Sequence, residues 1–101
     1  MKYELIIEPA AAKQLQEFLD YAQFEPAATR FVEDLVRRVQ ILRDFPKLGK
    51  GKGFHKGIKY RCLLVKQWRA IYRVQIESKK ITIYAFYHPA QHFDISASLE
   101  Q

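Results

Sequence analysis

Nine lysines and arginines lie between Phe45 and Ile76, at Lys47, Lys50, Lys52, Lys56, Lys59, Arg61, Lys66, Arg69 and Arg73, and no aspartate or glutamate interrupts them. The whole chain carries +6, so with +9 in this segment the remainder nets −3, and the basicity is a local patch. Guanidinium and ammonium groups are the side chains that meet negative charge on phosphate oxygens. A patch of one sign concentrates polyanions around it and gains affinity by releasing their counterions. Nucleic acid is the first partner the charge suggests. An acidic protein, or a face that only aids solubility, is the other reading.

Other chemistries fit poorly. Four glycines, Gly49, Gly51, Gly53 and Gly57, are interleaved with Lys50, Lys52, His55 and Lys56. The phosphate-cradling P-loop needs a fixed glycine spacing that ends in Lys-Ser or Lys-Thr, and that ending is missing. His55, Cys62, His88 and His92 lack paired ligand spacing, so no zinc site is expected. Cys62 has no base near it in sequence and is no candidate nucleophile. As the sole cysteine it cannot form an internal disulfide, which points to a reducing, cytoplasmic setting. No apolar run is long enough to span a membrane, and Met1 to Ile7 is too short and too charged for a signal peptide. No cofactor is expected.

The elements that must position these residues follow from periodicity within one domain of 101 residues. Tyr3 to Glu8 reads as a strand. Pro9 then opens a helix whose apolar stripe, Ala11, Leu15, Phe18, Leu19 and Ala22, runs to about Gln23. After a break at Phe24-Glu25-Pro26, Ala28, Phe31, Val32, Leu35, Val39 and Leu42 mark a second helix, which Phe45-Pro46 ends. The two should form a hairpin. Lys47 to Gly57 is expected to be a mobile, basic loop. Lys59 to Lys66 and Arg69 to Ile76 read as strands around a tight Gln67-Trp68 connection, and Ile81 to Tyr87 as the last strand. Alternation places Ala70, Tyr72, Val74 and Ile76 against the helices and Arg69, Ile71 and Arg73 on an open sheet surface. Trp68 could stack on a base, although packing is the commoner fate. The tail from His88 is polar, with Phe93, Ile95 and Leu99 as anchors of a short helix. The expected fold is α+β, β-α-α-β-β-β, with a helix hairpin on a mainly antiparallel four-stranded sheet.

The order of elements and several segments resemble the RelE/ParE superfamily of bacterial toxins. The opening "IIEPAAAKQLQEF", the helix exit "LRDFPKLGKG", the central strands "GIKYRCLLVKQWRAIYRV" and the closing "ITIYAFYH" together carry the likeness, over about residues 3 to 93. The resemblance implies a small toxin neutralised by a cognate acidic antitoxin. It also implies one of two activities, since RelE-like members cleave messenger RNA in the ribosomal A site and ParE-like members inhibit DNA gyrase without cleaving anything. Fold alone does not choose between them.

For the ribonuclease reading, the resemblance places the catalytic groups at Arg61, Arg73, Tyr87 and His88, and RNA contacts at Lys50, Lys52, His55 and Lys56. Metal-free cleavage needs a proton acceptor for the 2′-hydroxyl, cations for the phosphorane and a proton donor for the leaving oxygen. Arg61 is expected on phosphate, with a structural arginine as the alternative, and His88 or Tyr87 would move protons. A ribosome-dependent endoribonuclease is the first expectation and a gyrase inhibitor the alternative; two departures put cleavage in doubt and keep gyrase inhibition, or a member that has lost activity, open. Pro89-Ala90-Gln91-His92 stands where many active ribonucleases of the superfamily carry a further basic residue, and residues 45–76 contain no carboxylate base.

Overall fold

The computed structural model describes residues 2–21, 26–55, 57–66 and 68–87. The expected break around Phe24, the residue Gln67 and the tail from His88 lie outside them, as does Lys56. Strand β1 (Glu4–Ile7) leads into helix α1 (Pro9–Tyr21), followed by α2 (Pro26–Gln40), which tightens into a single 3₁₀ turn at Ile41–Arg43. Both helices open on proline, whose missing N–H costs nothing in the first turn. The turn that closes α2 is tied to the chain start: Tyr3 N–H donates to Arg43 O (2.9 Å) and Arg43 Nε donates to Tyr3 O (3.1 Å).

The remaining strands are β2 (Lys50–His55), β3 (Ile58–Val65), β4 (Trp68–Gln75) and β5 (Lys80–Tyr87). They form one five-stranded sheet in the order β1-β5-β4-β3-β2, antiparallel except where β1 lies parallel to β5. The α+β class and the helix pair on a mainly antiparallel sheet are as expected. The fifth strand corrects the expected loop: residues 50–55 pair with β3 from Lys50↔Cys62 to His55↔Ile58. Alternating glycine and lysine disguise that strand, because neither favours strands, and the register slips between Gly51 and Gly53, where Gly53 takes φ +143°.

The core lies between helices and sheet, with Leu35, Val39, Leu42, Leu63, Ala70, Tyr72, Ile81, Ile83 and Phe86 buried in it. Phe86 reaches this face through a bulge. The β4–β5 register skips Tyr84, passing from Ile71↔Ala85 to Tyr72↔Ile83, so Ile83 and Phe86 point to the same side although they are three residues apart. Past the end of β1, Gln14 Oε1 on α1 accepts from Phe86 N–H at 2.8 Å. Two residues depart from simple alternation. Ile76, expected against the helices, follows the end of β4 and is 60% exposed. Ile71, expected on the open surface, is fully buried in a second small cluster with Cys62 and Ala85, against which Tyr60 and Tyr87 pack.

Candidate functional site

The basic segment occupies both faces of the sheet, and the pairing register decides which side each residue takes. Arg61 faces Tyr72 across β3 and β4 on the helix side, in line with Leu63 and Val65. Cys62, Arg69, Ile71, Arg73 and Tyr87 project from the opposite, open face. The sheet therefore separates Arg61 from Arg73 and Tyr87. Lys50 and Gly51 sit beside Cys62 and Arg61 on β2. Lys52 and His55 lie in the same strand, and the description does not extend to their side chains. His88 and Lys56 lie outside the described residues.

Arg61 is half-buried and clamps the segment that leaves α2. Its Nε donates to Gly49 O at 3.0 Å and its Nη2 to Lys47 O at 3.1 Å. Beside it, the buried Tyr72 hydroxyl accepts from Gly49 N–H (2.8 Å) and donates to Pro46 O (2.9 Å). Four hydrogen bonds thus fix residues 46–49. Gly49 is required there by space: a Cβ would come within 2.7 Å of both Cys62 O and the Tyr72 hydroxyl. Burial raises the Tyr72 hydroxyl above its ordinary 10.0, against the opposing pull of the Gly49 N–H and of Arg61. Sequence reasoning had marked Tyr72 only as a core residue. The signal for its second role was the joint presence of Pro46, Gly49, Arg61 and Tyr72 in the segments that carry the family likeness.

On the open face Arg69 lies directly across from Tyr87. Burial lifts the Tyr87 hydroxyl above 10.0, the nearby Cys62 adds to the rise, and the charge and hydrogen bond of Arg69 oppose it. A phenol held in that direction keeps its proton at neutral pH and is a poor base. Alternation already places Arg69 with Arg73 on this face, and its pairing with Tyr87 is what the sequence does not show. Trp68 packs between the helices and β4, with its ring 5.2 Å from Phe18 and 5.7 Å from Phe31. Of the basic segment's described side chains, Lys66 meets a carboxylate, Asp34 on α2 at 3.7 Å. The others have no carboxylate partner among the described residues. No group of His, Cys, Asp and Glu able to hold a metal occurs among the described residues. No helix there is long and apolar enough to cross a membrane.

Comparison with known proteins places this arrangement. The profile of the ParE toxin of the type II toxin–antitoxin system parDE matches residues 5–93. This chain belongs to the ParE toxin family. Solved structures share the fold. A chain of the chromosomal ParDE toxin–antitoxin system from P. aeruginosa superposes with a TM-score of 0.69 at 23% identity, covering 86% of this chain and 96% of that one. The archaeal RelE–RelB complex from Pyrococcus horikoshii OT3 gives 0.66 at 18%, covering 91% and 100%. The RelBE2 complex from Mycobacterium tuberculosis gives 0.61 at 16%, covering 90% and 95%. No match was found among curated proteins. The chain is a toxin of a toxin–antitoxin pair, on a fold that ParE-like and RelE-like proteins share.

Proposed function

We propose that this ParE-family toxin disables its target by binding it, that the target is DNA gyrase, and that it cleaves no RNA. The observation that carries this reading is the division of the candidate catalytic set. Stabilising a phosphorane and moving protons at one phosphate requires groups converging within hydrogen-bond reach of the same atoms. Arg61 lies on the helix side of the sheet and spends two donors on backbone carbonyls. Arg73 and Tyr87 lie on the other side. This distribution suits a protein-binding module with a basic surface better than a nuclease. The same unneutralised cations suit an acidic antitoxin, which we infer to be the partner that silences the toxin.

Two experiments test the reading. Purified toxin added to ribosomes programmed with a defined messenger should create no new RNA ends, and ends mapped to the A-site codon would overturn it. Tyr87→Phe removes the hydroxyl but keeps the ring. It should arrest growth within a few-fold of the wild type, whereas a proton-transferring tyrosine would lose about 10²–10⁴-fold of its activity.

A further inference from the structure

Strand β2 begins at Lys50 opposite Cys62, so the outer edge of β3 from Leu63 to Val65 runs on with no described strand beside it. A cavity of about 320 Å³ opens there. Its apolar lining includes Leu48, 43% exposed, and Leu64, 56% exposed. Three cations stand around it: Arg38 from α2, Lys50 from β2 and Arg69 from β4. None of the three has a carboxylate partner among the described residues. Leu48 also belongs to the segment that Tyr72 and Arg61 fix through Pro46, Lys47 and Gly49, so this wall of the cavity is held in place before anything binds.

Exposed leucines and cations lining one groove describe a particular ligand. A nucleic-acid backbone would satisfy the cations and leave the leucines without an apolar partner. A peptide with an apolar side chain between carboxylates satisfies both, with the apolar residue desolvated at the centre and the charges paired at the rim. A free sheet edge adds backbone groups that an extended segment can meet. Preorganisation of Leu48 lowers the entropy lost on association.

The geometry points to this groove as the surface that grips the target enzyme, through an extended target segment carrying acidic residues on either side of an apolar one. The inference rests on the binding reading above and adds where the contact is made. Leu64 and Lys50 are exposed and belong neither to the buried core nor to the Tyr72–Arg61 clamp, so substituting them tests the groove without dismantling the fold.

The test is inhibition of supercoiling by purified gyrase, titrated with toxin whose fold is checked by circular dichroism. Leu64→Glu and Lys50→Glu should each raise the concentration needed for half-inhibition by about tenfold or more. Lys13→Glu, on the exposed face of α1, should leave it unchanged. If Leu64→Glu fails to fold, Lys50→Glu alone decides. Wild-type inhibition with both groove variants equal to it would overturn the groove while leaving gyrase as the target. Groove variants that lose only antitoxin affinity and still inhibit gyrase would assign the groove to the antitoxin and overturn the inference. A wild-type toxin without effect on gyrase would remove both the groove's assignment and the reading it rests on.

Discussion

Tyr72 satisfies two backbone groups through one hydroxyl, and Arg61 satisfies two more, so a pair of side chains holds the whole exit from α2. Removing the hydroxyl leaves the Gly49 N–H and the Pro46 carbonyl without partners in a largely buried place. Tyr72→Phe should therefore lower unfolding free energy by about 1–3 kcal/mol in urea titration. The pH dependence has a definite sign. Burial raises the Tyr72 hydroxyl above 10.0 in the folded protein. Below that pH both states are protonated and the stabilisation is complete. Above it the unfolded chain loses its proton first, and stability falls as pH rises towards the folded value. Tyr72→Phe should flatten part of that alkaline fall, and Tyr87, raised in the same direction, should supply the remainder. A fall of equal steepness in the variant would count against this origin. The residue scale is also where sequence was least sufficient. Arg61 was legible as important, on phosphate or as a structural arginine paired with a carboxylate. Its hydrogen bonds to the carbonyls of Lys47 and Gly49 were not, because no periodicity encodes the path of a glycine-rich segment.

Elements were more legible, because burial on one face imposes a period. The helices and the last three strands emerge from apolar spacing, and Pro9 and Pro26 mark the helix starts. Two features escaped. Strand β2 has almost no apolar alternation, since it is an edge strand built from Gly and Lys and takes its order from pairing with β3. The bulge at Tyr84 reverses the facing of Phe86 and Tyr87, and a period of two cannot register one extra residue. That reversal sends Tyr87 to the open face and Phe86 to the core. At the same scale, Phe18, Phe31 and Trp68 join α1, α2 and β4 through rings 5.2–5.9 Å apart. Trp68→Phe should keep most of this packing. Trp68→Ala should cost about 3–5 kcal/mol, read as a lower urea midpoint by circular dichroism. An alanine variant as stable as the wild type would show that the trio does not hold the helix pair to the sheet.

For the molecule as a whole, the charge imbalance is the feature most visible in sequence, and the fold distributes it. Apart from Lys66, the described cations of the basic segment remain unneutralised among the described residues, on the helix side, the open face and the β3 edge. An acidic antitoxin should therefore bind with an affinity that falls as salt rises, because several paired charges are screened. Isothermal titration at increasing salt measures this, and an unchanged affinity would mean that apolar contact alone holds the pair.

A toxin of this fold, with Arg61 divided from Arg73 and Tyr87 by its own sheet, is proposed to act by binding gyrase. The most direct measurement is the supercoiling of relaxed plasmid by purified gyrase, titrated with the wild-type toxin. Supercoiling should decline in proportion to toxin and recover when antitoxin is added in excess. Supercoiling that persists unchanged at molar excess of folded toxin would contradict the account.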